Sequence, residues 1–466
     1  MPATTADPSK PLWSLPIRDR PPHGSLPRGL IWASLFNLAI LLTHVLQLLL
    51  SPLLAFARTR STYHRWTKAP FGRLCVWINQ AFAPTSFVIS RGGDDVGDEV
   101  DEGEDGDGLG DIEQWITRDK RGRVAKLDLP NRAVWISNHQ TLCDWIFIWA
   151  FTYLSHHSNS VVITLKSSLR KIPIIGWACH FYSFIFLNRK WLIDQEPFKK
   201  QLHLTAQDLN EGFGGTNEEK LALLIFPEGT LVTGNTRPIS AKFAEKMHIQ
   251  DLSHVLLPRS TGLFFALREL SPRLPGLHLV DLTIAYPGTH LPTPEGFKPT
   301  WPEDFYSLGI WFKGVPPPAI HVHIRVFEVS KIPLGGKGEA EEEARKKFDE
   351  WLRKRWGEKD ELMKRFVRDG SFTGTRKGQK SEGEREGKGR GRSVEWPVEL
   401  RNSSWEILGA FSFGLPVLVL LGLLGLWKGW FTMRDQGAVI EKVVKPCCAE
   451  AARKALEAKK LLKGEL

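Results

Sequence analysis

The chain has 466 residues, 42% hydrophobic and 24% charged, enough for two to four domains and a sizeable core. Lys plus Arg is 62 against 52 Asp plus Glu, and ten of those acids lie without a base between Asp94 and Asp111, so the remainder carries +20. Such a body suits a membrane or a nucleic acid, while five cysteines, an odd number in a long chain, exclude a secreted disulfide scaffold.

Residues 1–28 are Pro-rich and polar and read as a disordered N-terminus. Residues 29–57 contain no charged side chain. A helix rising about 1.5 Å per residue crosses a bilayer core of about 30 Å with such a run, so it reads as a membrane helix or hairpin. It is too long for the apolar part of a cleaved signal. Asn37, His44 and Gln47 are expected to share a protein-facing side, and Pro52 to end the helix. Residues 58–91 read as a connector. Residues 92–112 read as an acidic disordered insertion without the spacing of a calcium loop.

From 115 to 332 the pattern becomes that of a folded domain. Strands are expected at Ala133–Ser137, Val161–Leu165, Ala222–Phe226, Val255–Leu257, Val280–Ala285 and Ile320–Val326, with helices between them such as Cys143–Tyr153 and Phe198–Leu209. That alternation predicts an α/β fold: a central mixed sheet with flanking helices, plus N- and C-terminal membrane helices. Residues 340–369 predict an amphipathic helix, interrupted at Gly357, that packs on the core or lies on a membrane. A basic linker follows over 370–392, then a second charge-free run over 407–427, read as a transmembrane helix. The linker's charge favours the cytosol for the segment between the spans. The tail, 434–466, is charged and holds Cys447 and Cys448, open to palmitoylation.

Four short elements offer chemistry. Asn138-His139-x4-Asp144 follows a strand; on a straight helix five residues subtend about 140°, so the pair meets only if His139 sits in the turn and Asp144 in the first helical turn. Asn138 would suit a cap there. A carboxylate holding one imidazole nitrogen leaves the other basic, as a general base requires. Phe226-Pro227-Glu228-Gly229-Thr230 places Glu and Thr at a strand end. Phe186-Leu-Asn-Arg189 and Val255-Leu-Leu-Pro258-Arg259 each set an arginine, a bidentate phosphate holder, after an apolar run.

In this order and spacing the elements resemble the glycerolipid acyltransferase superfamily, in its eukaryotic branch of lysophosphatidate, lysophosphatidylinositol and lysocardiolipin acyltransferases. The likeness covers about residues 130–300, and the stretch from Lys166 to Trp177 fits it too. It implies a glycerol-3-phosphate acyltransferase-like fold and transfer of an acyl chain from acyl-CoA to a lysophospholipid hydroxyl. His139 would take the hydroxyl proton and Asp144 orient His139. Glu228, Gly229 and Thr230 would border the acceptor; Arg189, Arg259 and Lys166 would meet its phosphate; Asn138, Pro227 and Pro258 would shape the site. Cys143, beside Asp144, is expected to be a packing residue. Where many members carry a base after Glu-Gly-Thr, this chain has Leu231, with Arg237 the next base.

Acyl-CoA would be a co-substrate, with neither metal nor cofactor required. The expected partners are the lysophospholipid, acyl-CoA and membrane lipids, not nucleic acid. The endoplasmic reticulum is the expected location, with lipid droplet and mitochondrial membranes as alternatives. Two other function classes compete: a catalytically inactive or lipid-binding membrane homologue, and a lipid ester hydrolase. The second needs a nucleophilic serine, and the chain has no Gly-x-Ser-x-Gly elbow.

Overall fold

The computed structural model describes residues 10–92, 109–212, 219–288, 300–336, 338–373, 393–401 and 403–412, with a few isolated positions beyond. The chain divides after Ser412 into two units, and everything below concerns the first. The acidic run, the basic linker, the second charge-free run and the tail with Cys447 and Cys448 lie wholly or mostly outside the described residues.

Two long helices come first, α1 (Leu26–Leu50) and α2 (Ala57–Phe82), joined by a short 3-10 turn. They are followed by β1 (Ser86–Gly92), β2 (Leu109–Gly110), the hairpin β3 (Ile116–Arg118) and β4 (Val124–Leu127), and β5 (Arg132–Ser137). Next are α3 (Asp144–Leu154), β6 (Val161–Lys166), α4 (Ile175–Phe181), β7 (Ile185–Leu187), α5 (Trp191–Glu211) and β8 (Leu221–Ile225). The remainder is α6 (Arg237–Met247), α7 (Ser260–Leu270), β9 (His278–Ala285), α8 (Pro302–Phe305), α9 (Gly309–Lys313), β10 (Ala319–Glu328), α10 (Glu341–Asp369), β11 (Val394–Pro397) and α11 (Ser403–Ala410).

One mixed sheet runs β11-β1-β10-β9-β5-β8-β6-β7, with β2 on β1. From β9 to β7 all neighbours are parallel, whereas β10 is antiparallel to β9. The central strands are buried on both faces, which is why they read as continuous apolar runs. Ala133, Trp135, Ala222 and Leu224 face a core shared with α2 and α3. Val134, Ile136, Leu223 and Ile225 face a second core built with α5, α7 and α10. The expected α/β fold with a central mixed sheet is therefore observed, as three layers.

Several elements differ from expectation. Residues 58–91 form α2 and β1 rather than a plain connector. Val255–Leu257 is not a strand. The N–H groups of Ser253, His254 and Val255 donate to the Asp360 carboxylate, and that of Leu257 to the Ser240 hydroxyl, so no ladder is needed. Gly357 does not interrupt α10; Phe348, Leu352, Trp356, Met363 and Phe366 bury one continuous face, which outweighs a glycine penalty of about 1 kcal/mol. On α1, His44 and Gln47 are buried and bonded to each other at 3.0 Å, but Asn37 is exposed and bonds the carbonyl of Ala33. Leu26–Ala55 is long and apolar enough to cross a membrane, and 28% of its most apolar window is buried.

Candidate active site

The parallel order β5-β8-β6-β7 brings four chain segments to one edge of the sheet, where the strands end and sites of α/β folds are built. His139 follows β5, Glu228 follows β8, Lys166 ends β6 and Arg189 follows β7.

Asp144 is the first residue of α3, and His139 lies in the turn before it, as the spacing required. Asp144 Oδ2 accepts from His139 Nδ1 at 2.9 Å and from the backbone N–H groups of Gln140 and Thr141 at 2.7 and 3.1 Å. Oδ1 accepts the Thr141 hydroxyl at 2.9 Å and the Tyr286 hydroxyl at 2.6 Å. Every lone-pair direction of this fully buried carboxylate is therefore occupied, so it cannot swing away from the imidazole. With Nδ1 donating, the lone pair lies on Nε2, which has no hydrogen bond among the described residues. The ring stacks on Phe226 at 4.2 Å and keeps a side-chain exposure of 19%. An imidazole braced and partly open in this way has the geometry that a general base requires.

Asn138 does not cap α3. Its side chain instead exchanges two hydrogen bonds with the backbone of Ile284 on β9, at 2.9 and 2.8 Å, and so fixes where the turn leaves the sheet. Cys143 is fully buried, and burial together with the Asp144 charge pushes its thiol up, the opposite of an activated nucleophile.

Glu228 is buried rather than presented to an open surface. Its two oxygens accept the N–H groups of His139 and Leu256, each at 3.3 Å, linking the turn after β5 to the loop that ends in Pro258 and Arg259. Burial pushes its carboxyl up to about 8, against those N–H groups and the nearby Lys359 ammonium, which pull it down. Gly229 has φ +70, which glycine adopts freely. Thr230 is half-buried beside it. Pro227 and Pro258 are buried, and the Pro227 carbonyl accepts the Arg259 N–H at 2.8 Å, fastening the two loops together.

Arg189 has φ +64, a strained position for a non-glycine residue. Asp194 holds it there, accepting from the N–H groups of Asn188 and Lys190 on either side at 2.8 and 3.0 Å. The guanidinium of Arg189 is pulled below its usual value by burial and then by the neighbouring Arg259. Two arginines thus stand close together, both residues exposed, and neither has an ion pair or side-chain hydrogen bond among the described residues. Lys166 is likewise exposed and unpaired. Arg237 is already engaged, with Asp251 at 2.6 Å, so it does not replace the base missing at Leu231.

Residues 123–286 match the family model described as Acyltransferase, and residues 311–389 the one described as Acyltransferase C-terminus. The chain belongs to the glycerolipid acyltransferase superfamily. It is 36% identical over 271 residues to the 2-acyl-1-lysophosphatidylinositol acyltransferase of Saccharomyces cerevisiae, covering 52% of this chain and 64% of that one. It is 34% identical to lysocardiolipin acyltransferase 1 of Gallus gallus, over 51% of this chain and 55% of the other. A probable 1-acyl-sn-glycerol-3-phosphate acyltransferase 5 of Arabidopsis thaliana is 30% identical over 53% of this chain and 56% of its own. The chain thus spans less than two thirds of the length of these relatives.

Two residues of this acyltransferase-family site escaped the sequence reading. Tyr286, one residue past β9, holds Asp144; its signal was a tyrosine at the end of a strand already recognised. Asp194 holds the Arg189 turn; its signal was an acid in the first turn of the next helix.

Proposed function

We propose that this chain is a membrane-bound, acyl-CoA-dependent O-acyltransferase acting on a lysophospholipid, in phospholipid synthesis or remodelling. Lysophosphatidate or an anionic lysophospholipid such as lysophosphatidylinositol is the acceptor. The observation that carries the reading is the His139–Asp144 pair, its free Nε2 on the same sheet edge as the unpaired Arg189 and Arg259.

In this mechanism the arginines hold the acceptor phosphate and place its glycerol hydroxyl at Nε2 of His139. The imidazole takes the hydroxyl proton as the oxygen attacks the thioester carbonyl. The carbon–sulfur bond then breaks, the proton passes to the leaving thiolate, and an ester and free CoA remain. Asp144 stabilises the transient imidazolium, and no acyl-enzyme forms. The helical stretch Leu26–Ala55 is the membrane anchor: Leu30, Ile31, Leu38, Leu41, Leu48 and Leu49 are exposed on it. Both substrates gather at membranes, and a basic body favours anionic lipid surfaces. The endoplasmic reticulum is the location we propose.

The deciding assay measures CoA-thiol release by membranes carrying the protein, its His139→Ala form or its Cys143→Ala form. Oleoyl- and stearoyl-CoA are supplied with lysophosphatidate, lysophosphatidylinositol, lysophosphatidylglycerol, lysocardiolipin and lysophosphatidylcholine in turn. Release that needs one acceptor, vanishes in His139→Ala and persists in Cys143→Ala is expected. No release with any acceptor from folded, membrane-bound protein would defeat the proposal, and loss in both variants would defeat the residue roles.

A further inference from the structure

At the opposite edge of the sheet lies a cavity of about 420 Å³, lined from α2, α5 and the segments entering β6, β7 and β8. Ser160, Ser183 and Leu221 mark those strand starts, whereas Lys166, Arg189 and Glu228 stand at or beyond the ends of the same strands. At about 3.3 Å per residue, β8 alone sets the two sites about 15 Å apart.

Four polar residues of α2 line this cavity: Ser61, His64, Arg65 and Lys68. Their spacing of i, i+3, i+4 and i+7 puts them on one helix face, turned toward the protein, where an apolar stripe would be ordinary. Lys68 is only 2% exposed, and its ammonium has no hydrogen bond or ion pair among the described residues; the ring of Phe184 lies 5.8 Å away. Ser61 Oγ and His64 Nδ1 also lack partners. The acids of the cavity are already matched: Asp208 pairs with Arg60 at 2.6 Å, and Glu219 lies 3.6 Å from Arg65. Lys220 donates to the carbonyl of Ser155, which brings no charge. Burial draws Lys68 down to about 7, outweighing the upward pull of the Asp208 charge, which Arg60 already engages.

We propose that this cavity is a second ligand site that binds a phosphomonoester, either a free phosphate compound or a lipid headgroup, separate from the acyl-transfer centre. A buried ammonium without a hydrogen bond, in a cavity also lined by Ser61, Ser183 and a His64 imidazole that is bonded through Nε2 to the Ser183 hydroxyl, matches a compact anion with several acceptor oxygens. The inference stands whether or not the acyltransferase reading does.

The test uses the full chain in neutral detergent, carrying Arg189→Ala and Arg259→Ala so that the other edge adds no phosphate contact. Calorimetry with inorganic phosphate and with dioctanoyl phosphatidate is expected to show saturable binding, weakened at least about tenfold by Lys68→Met. Binding of both ligands means that free phosphate suffices, and binding of phosphatidate alone identifies a headgroup. Absence of binding to either, or undiminished binding to Lys68→Met, overturns the proposal. Should that variant misfold, hydrogen exchange of residues 61–68 in the unaltered chain decides: it slows when the bound ligand is added, and no slowing overturns the proposal.

Discussion

The turn after β5 and the loops bearing Arg189 and Arg259 stand at one edge of the sheet yet are built differently. Around His139 every polar atom of the supporting carboxylate is engaged, and only Nε2 is left open. Around the arginines only the backbone is secured, by Asp194 and by the Pro227 carbonyl, while the guanidinium groups have nothing to hold. A group that moves a proton has to be in position before substrate arrives. A group that recognises a charge has to stay unpaired until then, because any resident partner must first be displaced.

Asp144→Asn strikes the braced side hardest. It keeps the shape but removes the charge that orients the imidazole, so kcat should fall by roughly 10²–10⁴ with little change in acceptor KM. A loss below about tenfold would make Asp144 a folding residue only. Arg189→Ala and Arg259→Ala probe the open side: each should raise acceptor KM about 10–100-fold and leave kcat within a few-fold. A fall in kcat instead would erase the division between the two sides.

Glu228 joins both sides and should show it through pH. Its folded value of about 8 exceeds the ordinary carboxyl value regained on unfolding, so the folded chain keeps a proton that the unfolded chain loses. Its stabilising contribution is whole in acid and disappears as pH climbs through about 8. Denaturant melts at several pH values should find this decline, up to about 1 kcal/mol per pH unit, absent in Glu228→Gln. Tyr286→Phe should be mildest, removing one of several bonds to Asp144 for about 1 kcal/mol of stability and a few-fold in kcat. Urea titration and steady-state assays would measure it.

The sheet's centre was legible because β5 and β8 are apolar runs of strand length and β9 alternates, with Val280, Leu282 and Ile284 apolar around Asp281 and Thr283. The His139 turn was legible because its spacing admits one helical arrangement. What escaped depends on partners distant in sequence. β1 is a strand because β10, more than two hundred residues on, lies beside it. Val255–Leu257 has a strand's composition, but its N–H groups go to Asp360 of α10, to Glu228 and to the Ser240 hydroxyl, which no local pattern announces. Glu228 was legible as a site residue by its position, whereas its role as a brace depends on Leu256 and His139 arriving on either side.

The pairing of β10 with β9 also bears on how the protein can be cut. A piece ending where the first family match ends, at residue 286, would keep β9 and lose β10, which covers its full length. The exposed row of amide and carbonyl groups would belong to a strand whose residues are nearly all buried in the whole chain. Such an edge recruits further copies into continuous sheet, so the minimal catalytic fragment drawn from the motifs would aggregate, and an expression boundary belongs beyond α10 and β11.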